Sequence, residues 1–339
     1  MRAALIGLVA AGLAALCGPA SAENESFGDW IVVCDNIRTC NAYGFPEEHY
    51  ENITYIRITR TGAAGAAPTV SISASGEGSA VWRLEIDGIP VMNQVQAIAG
   101  KDEVYQRAVL TPAQTATLLK GLANGEILSI WLGRDVVGAI SLKGSSAALR
   151  WVDDRQKRAG TVTALVAKGP KPASAMPAPP APPVIRAAAP ASQAGLPKSL
   201  PDAIKYPWES CDDDIGELGI EPQVFRLAPG LLLWQTACSR GAYNVVYDFS
   251  LLDEKGTLKG APDFPYASGQ AETGRLMNAE FDPATQTLSN FDKARGLGDC
   301  GAFTSWVWTG REFALKGSEV MPDCRGVPLD DWPTEFVSR

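Results

Sequence analysis

The chain has 339 residues, 46% of them hydrophobic and 20% charged, which at roughly 100–200 residues per domain leaves room for about two domains with full cores. Thirty Lys and Arg stand against 38 Asp and Glu, a formal charge of −8. So acidic a chain offers little to phosphate backbones, and nucleic acid is excluded as a partner class.

Residues 1–22, MRAALIGLVAAGLAALCGPASA, set Arg2 before an apolar run from Ala3 to Leu16 and end on Ala20-Ser21-Ala22. That is the pattern of a secretory signal peptide cleaved near Ala22. A membrane anchor needs nearer 20 apolar residues, and the bulky Leu16 argues against lipidation at Cys17. No later segment is apolar for long enough to span a bilayer, so the mature chain is expected to be soluble, periplasmic or secreted.

The remainder reads as two lobes. In the first, residues 23–167, strands are expected at Asp29 to Val33, Ile53 to Thr59, Thr69 to Ser73, Val81 to Ile86, Ile127 to Trp131, Val136 to Leu142 and Thr161 to Val166, from period-2 patterning and β-branched residues. Asp87-Gly88 and Gly133-Arg134-Asp135 read as hairpin turns. One helix is signalled by Thr111-Pro112, a cap followed by proline in the tolerated first position, and a second begins near Ser145-Ser146. Residues 168–197, KGPKPASAMPAPPAPPVIRAAAPASQAGLP, are rich in Pro and Ala and read as a semi-rigid polyproline II linker. Fully extended, it would reach up to ~90 Å, so the lobes need not touch.

The second lobe, residues 198–339, has almost no helical period beyond one short turn around Pro201 to Tyr206. Strands are expected at Gln223 to Leu227, Leu231 to Ala237, Tyr243 to Leu252, Thr287 to Phe291, Ser305 to Trp308 and Glu312 to Leu315. Hairpin loops fall at Glu254-Lys255-Gly256 and Thr309-Gly310-Arg311. The expected class is therefore α+β and strand-dominated: a β-rich lobe with two helices, the linker, and an all-β antiparallel, meander-like lobe. Acidity concentrates in the second lobe, where 22 acidic residues face 13 basic ones from Leu196 onward.

Removing the leader leaves Cys34, Cys40, Cys211, Cys238, Cys300 and Cys324. An even set in an exported chain reads as disulfides, and the absence of Cys-x-x-Cys disfavours zinc. Pairing within lobes gives Cys34–Cys40 and three choices for the other four. We take Cys211–Cys238 with Cys300–Cys324, and crossing pairs stay open.

Chemistry is sparse. There is no Gly-x-Ser-x-Gly and no Ser-x-x-Lys, and His49, in PEEHYE, reads as an exposed loop residue. Paired carboxylates could come from Glu47, Glu48 and Glu51 or from Asp212, Asp213 and Asp214, though a solvated acidic surface uses the same residues. No cofactor is expected: calcium, which takes oxygen ligands, is the one weighed, and the Asp run lacks the ligand spacing of an EF-hand. Trp306 and Trp308 are two apart on a strand and share a face, as a sugar-stacking platform or a buried sheet face requires.

The opening FGDWIVVCDN, Phe27 to Asn36, with Cys40, and the run ISLKGSSAALRWVDD, Ile140 to Asp154, resemble invasion-associated locus B-type exported proteins, which consist of a single lobe. The whole mature chain resembles a domain-of-unknown-function family of six-cysteine exported bacterial proteins of about this length. That likeness rests on ALRWVDDRQKRAGTVTALV (Ala148 to Val166), the linker, KARGLGDCGAFTSWVWTGREFAL (Lys293 to Leu315) and CRGVPLDDWP (Cys324 to Pro333). It implies an envelope location and disulfides, and no activity. The expected function is a binding or interaction role in the cell envelope, toward an envelope protein or glycan, with Trp306, Trp308, Asp212, Asp213 and Asp214 as a candidate surface and no catalytic residue assigned. The alternative is a glycan-directed hydrolase using paired carboxylates.

Overall fold

A computed structural model describes residues 23–47, 53–101, 104–204, 211–212, 215 and 219–339. The leader, Glu48, His49, Glu51, Asp213 and Asp214 lie outside the described residues. The strand-dominated α+β class expected from the patterning is the class observed.

The N-terminal half begins with β1 (Glu23–Phe27), β2 (Trp30–Cys34), β3 (Cys40–Gly44), β4 (Thr54–Arg60), β5 (Thr69–Ser75), β6 (Ala80–Ile86), β7 (Ile89–Ala99) and β8 (Tyr105–Val109). Helix α1 (Pro112–Leu122), β9 (Ile127–Leu132), β10 (Asp135–Ser141) and α2 (Ser145–Arg155) complete it. The ten strands form one sheet in the order β1-β2-β3-β4-β5-β8-β7-β6-β9-β10, joined by antiparallel pairs. The sheet curls until the end of β10 meets the first hairpins, where Ser141 N–H donates to Phe45 O at 2.9 Å and Asp29 N–H to Lys143 O at 3.1 Å.

Local signals explain the helices. Thr111 accepts from Gln114 N–H while the Gln114 side chain accepts from Thr111 N–H, a capping box ahead of Pro112. Gly144 precedes α2 at φ 99°, with the Phe27 carbonyl where a Cβ would stand, so only glycine lets the helix start this close to β1. Leu118, Leu122, Ala148, Leu149 and Val152 press both helices onto a core of Trp30, Ile56, Ile72, Trp82, Leu84 and Ile130.

One expected strand is absent. Thr161 to Val166 has β-branched residues but turns instead, because the buried Asp153 carboxylate collects the Leu165, Val166 and Ala167 N–H groups at 2.6, 2.9 and 2.9 Å. Backbone donors captured by a side chain have none left for a ladder.

The C-terminal half contains β11 (Gln223–Ala228), β12 (Leu231–Arg240), β13 (Val245–Leu252), β14 (Leu258–Gly260), β15 (Asp263–Pro265), β16 (Ala271–Thr273), β17 (Arg275–Met277), β18 (Glu280–Asp282), β19 (Thr287–Lys293), β20 (Gly301–Trp308), β21 (Phe313–Met321) and β22 (Thr334–Val337). Sequence neighbours pair as β11-β12-β13-β14 and as β18-β19-β20-β21-β22; β15 and β16 form a hairpin, and β17 adds to β13. Its core is aromatic: Phe249, Phe264, Phe281, Trp306, Trp308 and Phe313.

Residues 168–197 are not a free stalk. Arg38 donates to Pro177 O and Ala178 O at 3.5 and 3.4 Å, Ile185 N–H to Arg339 O at 2.8 Å, Ala188 N–H to Trp308 O at 2.7 Å, and Arg226 N–H to the Gln193 side chain at 2.9 Å. Extended prolines leave carbonyls and interspersed N–H groups exposed, and here both halves bond to them along the strap.

The halves also dock directly. Ile31, Tyr43, Phe45 and Tyr55 of the first half share one buried cluster with Cys300, Met321, Val327 and Trp332 of the second. At its centre Asp331 accepts from Tyr55 Oη, Arg107 and Arg57, while Tyr43 Oη donates to the Asp331 carbonyl at 2.5 Å. Burial is the largest cause holding both tyrosine hydroxyls well above their ordinary range, with the Asp331 charge adding to it, so both stay donors. The run CRGVPLDDWP is thus a plug: its second Asp supplies the charge and its Trp the apolar body.

Candidate functional site

All three expected disulfides are present: Cys34–Cys40, Cys211–Cys238 and Cys300–Cys324. Asp212 is exposed and shapes a turn, its N–H donating to Cys238 O at 2.9 Å and its carboxylate accepting from Arg240 N–H at 3.0 Å. Glu47 is exposed at a separate concavity that also includes Lys143. Asp248 lies with Cys211 and Cys238 in a ligand-like trio, but both sulfurs are joined to each other and offer no thiolate to a metal.

Trp306 and Trp308 point into the core, 0% and 3% exposed. The shared face read from their spacing is the buried one, since β20 lies between β19 and β21 with its inner face on the aromatic cluster. Trp306 donates to Pro265 O at 2.6 Å and meets Tyr266 edge-on with centroids 5.6 Å apart. Trp308 has a second neighbour: it lines a cleft of about 920 Å³.

The cleft is assembled from distant segments. Pro262, Pro265, Tyr266 and Ala267 of the β15–β16 hairpin form one wall, and Trp308, Phe313 and Leu315 form the other. Pro183 and Ile185 of the strap and Phe336 of β22 close an end. The hairpin tip is fixed by Tyr266 N–H to Gln270 O at 2.8 Å and Gly269 N–H to Tyr266 O at 3.0 Å. Beneath it Phe264 packs against Phe249, Trp306 and Phe313 at 5.4–5.5 Å between centroids. Such interlocked rings make a stiff floor. The buried Trp308 indole N–H has no partner among the described residues, while Asp263, Arg311 and Glu312 stand exposed at the rim.

A titratable group outside the lining acts electrostatically on Tyr266. Burial raises Asp292 to about 6, the Asn290 amide works against this by donating to its Oδ1 at 2.9 Å, and the Glu272 charge adds to it. Burial first, then the Asp292 and Glu272 charges, raise the Tyr266 hydroxyl. The arrangement offers an apolar, aromatic-walled trough with few polar groups, the usual character of a ligand site. Among the described residues no nucleophile with a base beside it lines the trough.

Nothing in the sequence alone placed the cleft, because its walls come from five separate stretches. The signal that was present is the Trp306/Trp308 pair: Trp308 lines the cleft and Trp306 packs on Phe264 behind it.

Comparison with known proteins matches residues 24–339 to a family described as "Protein of unknown function (DUF1176)". The chain is 30% identical over 344 residues to "Uncharacterized protein YpfG" of Escherichia coli (strain K12), covering 94% of each chain. No solved structure matches it significantly.

Proposed function

The chain belongs to the DUF1176 family of unknown function, and from that premise we propose that it is an exported binding protein of the cell envelope that holds an extended, apolar, proline-containing segment of a partner protein in the C-terminal cleft. The observation that carries this reading is the cleft itself, walled by Pro262, Pro265, Tyr266, Phe313 and Phe336. Grooves lined by aromatic rings suit polyproline-like segments, which lose little entropy on binding. The strap supplies an internal precedent, because Pro183 and Ile185 already lie extended at the cleft's end. Three disulfides and a leader with signal-peptide pattern support a periplasmic or secreted location. Among the described residues no helix is long and apolar enough to cross a membrane.

Calorimetric titration of the oxidised full chain with short proline-containing apolar peptides, acidic peptides and soluble oligosaccharides tests the reading. The apolar peptides should bind and the others should not. Ala267→Arg, which puts a long cation on the wall, should weaken binding at least about tenfold, a loss of about 1.4 kcal/mol. Binding of oligosaccharide in place of peptide, or indifference to Ala267→Arg, overturns it.

A second reading, a glycan-directed hydrolase, is favoured by one observation, the Asp292 carboxyl raised to about 6 near Glu272. A carboxyl that holds its proton near neutral pH can act as a general acid. Hydrolysis of an envelope glycan that disappears in both Asp292→Asn and Glu272→Gln would replace the binding reading.

A further inference from the structure

The three disulfides sit in different surroundings. Cys34 and Cys40 lie inside the N-terminal apolar core, and Cys300 and Cys324 pack with Met321, Val327 and Trp332. Cys211–Cys238 instead bridges the segment before β11 to β12 beside an ion pair. Arg275 Nη2 is 3.0 Å from Cys238 Sγ, and Asp248 Oδ2 is 3.5 Å from Cys211 Sγ. Arg275 and Asp248 hold each other through Nε–Oδ1 at 2.6 Å and Nη2–Oδ2 at 3.0 Å. Cys211 is partly exposed while Cys238 is 1% exposed, and Asp248 and Arg275 also line a concavity of about 510 Å³ open to solvent.

The two sulfurs are therefore inequivalent in the way exchange requires. Cys211 is the accessible one, with Asp248 Oδ2 at 3.5 Å and Arg275 Nη2 at 3.9 Å, and Cys238 is the buried one, with Arg275 Nη2 closer, at 3.0 Å. A thiolate leaves fastest where a cation stabilises it. We propose that Cys211–Cys238 is a thiol–disulfide exchange site, attacked at Cys211 by a dithiol reductant with Cys238 as leaving group, while the other two disulfides are structural.

The chemistry balances. A reductant thiolate forms a new S–S bond to Cys211 Sγ, the Cys211–Cys238 bond breaks, and its electron pair leaves on Cys238 facing Arg275. The reductant's second thiolate then attacks its own sulfur in the mixed disulfide and expels Cys211. The protein gains two electrons, the reductant becomes a disulfide, and the two thiol protons pass to the freed cysteines. Reduction removes the covalent tie between Cys211 and β12, which among the described residues is accompanied by the Asp212–Cys238 and Arg240–Asp212 hydrogen bonds.

The test is graded reduction of the oxidised full chain with dithiothreitol, quenching with an alkylating mass tag, and peptide mapping. Cys211 and Cys238 should be tagged at reductant concentrations that leave the other four cysteines protected. Arg275→Gln should slow that step about tenfold, and Asp248→Asn should speed it, because one removes and the other unmasks the cation. If either substitution merely loosened the local fold, both would speed reduction. Reduction of this pair no earlier than the other two, or a shift in the same direction in both variants, overturns the proposal.

Discussion

The two halves reach stability by different routes. The N-terminal half is one sheet of ten strands, all but the 11-residue β7 of five to seven residues, around a largely aliphatic interior, with a disulfide spanning 6 residues between β2 and β3. The C-terminal half has five strands of three residues each, an aromatic core, and disulfides spanning 27 and 24 residues. Branched aliphatic side chains interdigitate to fill much of their own space. In the second half rigid rings from strands of three to nine residues pack edge-on or tilted against one another, and the cleft opens beside them. The cleft of about 920 Å³ lies in the second half, while the first half, with a smaller concavity of about 600 Å³ beside Glu47 and Lys143, is bonded to it through Asp331.

The largest effect should come from emptying the first core. Trp30→Ala removes a fully buried indole whose Nε1 donates to Ser141 O at 2.9 Å, and should cost about 4 kcal/mol in denaturant unfolding. Trp308→Ala, facing the cleft, should cost clearly less; equal losses would break the contrast between filled and unfilled cores.

Asp331→Ala comes next. It strands Arg57 and Arg107 against a buried patch, and because each guanidinium keeps some solvent the loss should be about 3 kcal/mol. It should also split one calorimetric transition into two as the halves uncouple. A single transition at unchanged temperature would mean that the plug does not couple them.

Smaller still is the pH effect of Asp292. Its folded value of about 6 exceeds the unfolded value near 3.8, so the native state holds the proton longer and stability falls as pH rises from about 4 to about 6. Asp292→Asn should flatten that slope and stabilise the protein at neutral pH by up to about 2 kcal/mol, read by thermal melts across pH. An unchanged slope would place the titration elsewhere.

Much of the scaffold was legible because its signals are local. Thr111-Pro112 marked α1, and Asp87-Gly88 is the β6–β7 turn with φ 52° and 76°. Strand β7 was not, because its pairing shifts register around Trp82–Leu84 and Gln94 sits at φ 60°, which puts its polar and apolar residues out of phase. Asp331 stood in the sequence only as part of the run CRGVPLDDWP, because the arginines that pair with it are more than 200 residues away in sequence. Trp306 and Trp308 announced a shared face, but which way that face points depends on strands 287–293 and 313–321, and their spacing cannot carry that.

The claim that the C-terminal cleft is the binding site is tested most directly by locating a bound peptide. A proline-containing apolar peptide carrying a photoreactive group would be cross-linked to the oxidised full chain and the adducts mapped by mass spectrometry. Adducts should fall on residues 261–271, 308–315 and 336 and disappear in Ala267→Arg. Adducts concentrated on the N-terminal sheet, or undiminished by Ala267→Arg, would contradict the account.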